Sequence, residues 1–238
     1  MKERLGALDR ARIRALVRKS FVRRRVPTAL KVSAIIAYFE GMSFRRVARF
    51  HERFCAESAR QWWLRIASDF GNARGPHGIV IADETAIHIG KRHRTVVAYR
   101  KKGRTYSVTY RYETRRMPMS NLLWVSIDAK TMRVIHLHLS THTTSTDCRA
   151  FLHETKRRTR ETMLLLHDRG AWYPRQAREL RIRHKITRGG HRSRIECWNR
   201  QLKHRLDRFW RAFPPNATTE STRKWLEAYA VIWNATRP

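Results

Sequence analysis

Acidic residues are scarce in this chain of 238 residues. Asp and Glu total 19 against 52 Lys and Arg, which gives a formal net charge of +33. A charge of this size repels itself in a compact state unless a polyanion is the usual partner. Nucleic acid fits best, because neutralised phosphates release counterions and drive binding. A membrane surface is less favoured, because no long amphipathic Lys-rich segment stands beside a hydrophobic anchor.

Cysteine and long apolar runs are also sparse. The three cysteines, Cys55, Cys148 and Cys197, are scattered and form no CxxC pair. A disulfide framework and a zinc ribbon are therefore disfavoured, and a reducing compartment is expected. No apolar run approaches the roughly 20 residues that span a bilayer. The charged N-terminus does not resemble a secretory signal, so we expect a cytoplasmic protein.

The first third of the chain predicts a small helical module behind a basic arm. Residues 1–27 form the arm, and residues 28–70 contain three short helical patterns, the first closed by Gly41 and the second capped by Ser43. This spacing predicts a helix-turn-helix, with an ordinary three-helix bundle as the alternative. The third helix of such a module enters the major groove. The side chains expected to contact DNA are Arg45, Arg46, Arg60, Gln61 and Arg65.

Residues 78–238 have the pattern of an α/β domain, separated from the helices by a Gly/Pro linker at 71–77. Apolar strand patterns precede alternating helix and strand patterns, which predicts layers of helices on a sheet. The predicted strands are 78–89, 121–128, 133–140, 162–168 and 183–187, and the predicted helices are 144–160, 174–181, 193–211 and 218–235. The basic, Tyr-rich segment 91–120 predicts an inserted hairpin.

Two acids lie in or directly after apolar strand patterns. Asp83 interrupts IVIADETAIHI, and Asp168 ends TMLLLHD. A buried carboxylate is costly unless it is paired or bound to a cation, and two carboxylates brought together repel. A divalent ion relieves that repulsion, and hard oxygen ligands favour Mg²⁺ or Mn²⁺. We therefore expect a metal site for a phosphodiester, with Glu84 facing the other side of its strand.

Glu196 allows two interpretations. It follows Ser193 by three positions, which is the spacing of a capping box at a helix start. A glutamate in a first helical turn can also point at a neighbouring strand end and serve as a third metal ligand. The residues alone leave both roles open.

Several of these segments together resemble a known family. DET in a strand, HDRGAWY after a strand and RIECWNRQLKHRL on a helix are similar to the DDE insertion-sequence transposases, above all the group named after insertion sequence six with its archaeal members. FEGMSFRRVARFHERFCAESARQWW and the tail FWRAFPPNATTESTRKWLEAYAVIWN extend the likeness over roughly residues 30–236. The departures are the segment 91–120 and a short interval of 28 positions between Asp168 and Glu196.

The resemblance implies an RNase H-like, retroviral-integrase-like domain that cleaves DNA at insertion-sequence ends and transfers the strands. It makes Asp83, Asp168 and Glu196 the catalytic, metal-binding residues for two Mg²⁺ ions, with Mn²⁺ as a substitute. Arg200 and Lys203 would hold the scissile strand, with Trp172 and Tyr173 packed near Asp168. The implied partners are double-stranded DNA with terminal inverted repeats, target DNA and a second copy of the chain, in a prokaryotic nucleoid. The alternatives are a catalytically inactive, transposase-derived repressor and an RNase H-like nuclease.

Overall fold

The structure is a computed structural model that describes residues 6–21, 25–71, 78–89, 95–101, 104–111, 120–140, 144–159, 162–187, 189–207, 212–213 and 217–237. The chain begins with four helices: α1 (Ala7–Ser20), α2 (Thr28–Phe39), α3 (Phe44–His51) and α4 (Ala56–Arg65), which continues as a 3-10 helix at Ile66–Gly71. The strands are β1 (Ile79–Ile89), β2 (Thr95–Lys101), β3 (Arg104–Arg111), β4 (Ser120–Asp128), β5 (Val134–Ser140), β6 (Leu164–His167), β7 (Arg183–Ile186) and β8 (Ala212–Phe213). The later helices are α5 (Ser145–Arg158), α6 (Trp172–Glu179), α7 (Gly190–Asp207) and α8 (Thr219–Ala235).

The central sheet is mixed. Its strand order is β5-β4-β1-β6-β7, with β8 paired to the far end of β1. Strands β5, β4 and β1 run antiparallel, whereas β6 and β7 run parallel to β1. This arrangement is the one expected of an RNase H-like sheet, and the predicted α/β class is confirmed.

Strand β1 is apolar on both sides because helices cover both faces of the sheet. Val80 and Ala82 pack in one core with residues of α5 and α6, whereas Ile81 and Ile87 pack in a second core with residues of α7 and α8. Successive side chains of a strand point to opposite faces. The two cores therefore fix which acid of β1 faces which helix layer.

The N-terminal helices pack onto the same core as the sheet. Helix α1 lies within the predicted basic arm and buries Ile13 and Val17 completely, so this stretch is not a solvated tail. Helices α2 to α4 occur where the sequence predicts them. Gly41 adopts a φ of 109°, and the Ser43 hydroxyl accepts a hydrogen bond from the Arg46 amide at 3.2 Å. The division of the chain into two domains stays a prediction.

The predicted insert contains a hairpin. Strands β2 and β3 pair antiparallel as a separate two-stranded sheet. The rest of the segment 91–120, most of the predicted linker 71–77 and the end of the predicted helix 193–211 lie outside the described residues. None of the helices in the described ranges combines the length and apolar character needed to cross a membrane.

Candidate active site

Strand register brings Asp83 and Asp168 to the same edge of the sheet. Parallel strands β1 and β6 pair Ile81 with Leu166. Asp83 lies two residues beyond the first of these partners, and Asp168 lies two residues beyond the second, directly after β6 ends. The two acids, which the sequence predicts as neighbours on adjacent parallel strands, therefore leave the sheet side by side.

Asp83 lies on the α7 side of the sheet. Its Oδ2 accepts a hydrogen bond from Nδ2 of Asn199 at 2.8 Å. Burial, followed by the neighbouring negative charge of Asp168 and with a smaller contribution from Glu196, raises the pKa of Asp83 to about 6. The charges of Asp168 and Glu196 thus both act on the Asp83 carboxyl.

Asp168 is held by the tight turn that follows β6. Its Oδ1 accepts a hydrogen bond from the amide of Gly170 at 2.8 Å. A Cβ on Gly170 would lie 3.1 Å from this oxygen, 3.0 Å from Nε1 of Trp172 and 3.1 Å from Cδ2 of Tyr173. Glycine at position 170 therefore allows both aromatic rings to pack close to Asp168, as the sequence predicts for Trp172 and Tyr173.

Glu196 lies in the second turn of α7, which begins at Gly190. The capping-box interpretation of Ser193 and Glu196 is wrong, because both residues lie inside the helix and the Ser193 amide already bonds to the Gly189 carbonyl. The Glu196 carboxylate instead accepts a hydrogen bond from Nε of Arg192 at 2.8 Å, in an ion pair whose side chains are about half exposed. Glu196 therefore does not cap the helix.

A cavity of about 440 Å³ opens between β1 and α7. Its wall combines acids with the cations that the sequence predicts to hold a DNA strand. The lining residues are Asp83, Glu84, Thr85, Glu196, Asn199, Arg200, Lys203 and His204. A phosphodiester in this cavity would lie between carboxylates on one side and the Arg200 and Lys203 side chains on the other.

The donor atoms at the sheet edge fit a hard divalent cation in part. Across the described ranges, no three His, Cys, Asp or Glu side chains already converge as a metal centre. Asp83 and Asp168 offer carboxylate oxygens, which Mg²⁺ and Mn²⁺ prefer. Asn199 offers an amide Oδ1 that is buried and makes no hydrogen bond within the described residues. Glu196 would complete the set after exchanging its Arg192 partner for the cation.

Glu84 points to the opposite layer, as its position in the strand predicts. Its Oε2 accepts a hydrogen bond from the hydroxyl of Tyr173 on α6 at 2.8 Å. Burial raises the pKa of Glu84 more than the Tyr173 hydrogen bond lowers it, and the net result is a pKa of about 7. Tyr173 is itself fully buried, so its hydroxyl also needs this partner.

Asn199 is the site residue that sequence reasoning missed. It lies three positions after Glu196, and residues three apart share one face of a helix. That spacing could have indicated Asn199. Its contact with Asp83, 116 positions away in the chain, could not be inferred without the fold.

The residues predicted to contact DNA in the helical module are all exposed. Arg60 donates two hydrogen bonds to Glu57, at 2.7 and 2.8 Å, and Gln61 donates one to the same carboxylate at 2.6 Å. Arg65 lies over the ring of Phe21, with Cζ 5.5 Å from the centroid. Arg45 and Arg46 occupy the first turn of α3. Their roles in DNA binding stay predictions.

Comparison with known proteins gives one distant relative and several structural neighbours. No family model matches the chain. An uncharacterized protein of Methanocaldococcus jannaschii is 23% identical over 221 residues, covering 91% of each chain. Among solved structures, a pre-cleavage Mos1 transpososome matches 86% of this chain and 73% of its own, with a TM-score of 0.42 and 14% identity.

Two further structures superpose to a similar degree. The catalytic domain of Mos1 mariner transposase has a TM-score of 0.39 and 15% identity over 82% of this chain and 86% of its own. A simian T-cell lymphotropic virus intasome has a TM-score of 0.42 and 15% identity over 82% of this chain and 66% of its own. Because these superpositions are partial, the fold assignment rests on strand order and direction.

Proposed function

We propose that the protein is a DDE transposase that cleaves DNA at the ends of an insertion sequence and transfers the strands. The observation that carries this proposal is the register of β1 and β6, which sets Asp83 and Asp168 side by side at one sheet edge. Helix α7 adds Glu196, Arg200 and Lys203 to the cavity in front of Asp83. Acids beside cations suit a reaction on a phosphodiester that divalent metal assists.

Each side chain of the site has a part in this chemistry. Asp83, Asp168 and Glu196 would hold Mg²⁺, or Mn²⁺ in its place, as two ions. Such ions supply an activated nucleophile and a stabilised leaving oxygen. Arg200 and Lys203 would contact the phosphates of the scissile strand, and Asn199 would orient the Asp83 carboxylate through its hydrogen bond. Cleavage by water and joining by a DNA 3′-hydroxyl require no covalent enzyme intermediate.

The partners follow from the same proposal. We expect double-stranded DNA with terminal inverted repeats, bound by the helix-turn-helix, together with target DNA. Two ends must be processed together, so we expect a homodimer on DNA. From the likeness in sequence motifs, we further propose that the protein is related to the group named after insertion sequence six.

A DNA-binding protein without catalytic activity is the second candidate. The observation that favours it is the ion pair between Glu196 and Arg192, which engages the third carboxylate. An RNase H-like nuclease would share the site but would not join strands. The three candidates therefore differ in whether DNA is cut and whether the cut ends are joined.

A plasmid assay tests the proposal. Supercoiled plasmid carrying the DNA that flanks this gene is incubated with the protein and Mg²⁺ or Mn²⁺, and nicked, linear and joined products are separated on a gel. We expect cutting and joining by the unaltered protein and neither by Asp83→Asn. Asp9→Asn, which removes the same charge from an exposed helix start, is the matched control. Binding without cutting under all conditions would support the repressor instead.

A further inference from the structure

A cavity larger than the one at the acidic site lies away from it. It has a volume of about 1090 Å³ and opens between α4, the end of α5 and the start of α8. We call it the basic cleft, after the six cations on its wall. These are Arg25, Lys31, Arg65, Arg158, Arg223 and Lys224, and Glu227 is the one carboxylate on the wall. A wall with six cations and one carboxylate favours an anionic ligand.

Arg158, Arg223 and Lys224 form ion pairs with acidic residues. Arg223 pairs with Glu220 and Glu227, Lys224 with Glu220 and Arg158 with Glu154. Arg65 makes no ion pair with any carboxylate of the described residues. The positive charge of Arg65 acts on Lys31, whose side chain is 4% exposed. Burial is the main cause that lowers the pKa of Lys31, and the charge of Arg65 is the second. A bound anion would relieve this repulsion between like charges.

Aromatic rings pack against several of these cations. The Lys31 Nζ lies 4.8 Å from the centroid of the Phe21 ring, and the Arg65 guanidinium lies 5.5 Å from the same ring. The Arg158 guanidinium lies 5.4 Å from the centroid of Phe70. Trp62, which is partly exposed, also lines the cleft. The wall therefore presents flat guanidinium groups and an indole ring, which are surfaces on which nucleobases stack.

We propose that the basic cleft binds a short single-stranded segment of DNA. Unpaired bases stack on Trp62 and on the guanidinium groups of Arg65 and Arg158, and the phosphates contact Lys31 and Arg25. A duplex does not satisfy this wall, because its bases already stack on one another and offer no free face to the indole. The volume of about 1090 Å³ is just above the ~300–1,000 Å³ of small-ligand sites, which leaves room for more than one nucleotide.

This site changes the role of two residues predicted to read duplex DNA. Gln61 and Arg65 belong to α4, but both line the basic cleft. Single-strand binding there requires no cleavage and no metal, so it goes beyond the proposed transposase reaction. The two proposals can fail independently of each other.

Fluorescence anisotropy of a short labelled oligodeoxythymidine tests the site in the full chain. We expect Arg65→Gln and Trp62→Leu each to weaken binding about tenfold, the effect of losing one stacked base. The matched control is Arg175→Gln, which removes a charge from a side chain that is 75% exposed on α6, and it should bind like the unaltered protein. Asp83→Asn should also bind normally, which separates this site from the cleavage site.

Competition identifies the ligand class. Unlabelled single strand should displace the probe, whereas a blunt duplex or an oligoglutamate with the same number of charges should not. Equal displacement by either competitor would overturn the proposal in favour of charge alone or an acidic protein segment. Unchanged binding by Arg65→Gln would overturn it as well, and this exposed position stays decisive if Trp62→Leu unfolds in a thermal melt.

Discussion

Asp83 and Glu84 are adjacent in sequence but have opposite surroundings. Asp83 lies beside another acid, an amide donor and a cavity with cationic walls. Glu84 bonds to the hydroxyl of a fully buried tyrosine on the other layer. Burial raises the pKa of both carboxyls, and both residues line the same cavity, but Asp83 bonds to Asn199 on α7 whereas Glu84 bonds to Tyr173 on α6. A raised pKa alone therefore does not identify a catalytic acid, and the neighbouring groups decide the role.

The largest expected difference between the two acids is in DNA cleavage. Asp83→Asn should lower the rate by more than about a hundredfold, because it removes charge from the centre that stabilises the transition state. Glu84→Gln should retain most of the activity, since glutamine can still accept the Tyr173 hydrogen bond. Initial rates of plasmid nicking in Mg²⁺ measure both. Equal losses of cleavage rate in Asp83→Asn and Glu84→Gln would contradict the different roles given to the two faces of β1.

Glu196, on α7, provides a second test of which carboxylates belong to the metal site. Glu196→Gln should abolish cleavage while the free energy of unfolding changes by less than about 1 kcal/mol, because its pair with Arg192 is half exposed. Arg192→Gln breaks the same ion pair and is the matched control for stability. It should leave cleavage largely intact. A Glu196→Gln protein that cuts as well as the unaltered one would remove Glu196 from the site.

Tyr173 tests the α6 side of β1, where Glu84 forms its hydrogen bond. Tyr173→Phe removes the donor to Glu84 and leaves a polar group without its partner, which should lower the free energy of unfolding by about 1–3 kcal/mol. Urea denaturation measures this loss. Duplex binding by the folded protein should not change. A stability equal to that of the unaltered protein would mean that the Tyr173 hydrogen bond does not stabilise this layer.

The pH dependence of stability tests the surroundings of Glu84. The pKa of Glu84 is raised from about 4.3 in the unfolded chain to about 7 in the folded one. Between these values the folded state binds more protons, so this group costs increasing stability as the pH rises. Glu84→Gln removes that cost. In the absence of metal, the Glu84→Gln variant should therefore be more stable than the unaltered protein above pH 7. This difference in the free energy of unfolding should disappear towards pH 4. Urea denaturation at a series of pH values measures it. A constant difference would contradict the raised pKa.

Much of the fold follows from local sequence pattern. The apolar alternation of β1, the short buried strand before Asp168 and the Ser43 cap all predict elements that the structure contains. The predicted helix 193–211 begins three residues after the true start of α7, because the structure extends the helix back to Gly190. That shift is what made Ser193 and Glu196 resemble a capping box.

The site was predictable only as far as each acid could be recognised alone. Asp83 and Asp168 could be inferred to be neighbours because acids in apolar strands need a cation or a partner. The contact between Asn199 and Asp83 and the basic cleft depend on how distant elements pack, whereas the Arg192–Glu196 pair spans four positions of one helix. Position along a strand or helix does not contain that information, and so the place of Arg65 on the wall of the basic cleft was not predicted, while its contact with DNA stays a prediction.

Binding of Mn²⁺ tests the central claim most directly. Electron paramagnetic resonance of free Mn²⁺, titrated with the unaltered protein, Asp83→Asn and Glu84→Gln, reports how much ion each protein binds. The account predicts binding by the unaltered protein and by Glu84→Gln, and loss of binding by Asp83→Asn. Equal binding by Asp83→Asn and the unaltered protein would contradict the assignment of the metal site to this edge of the sheet.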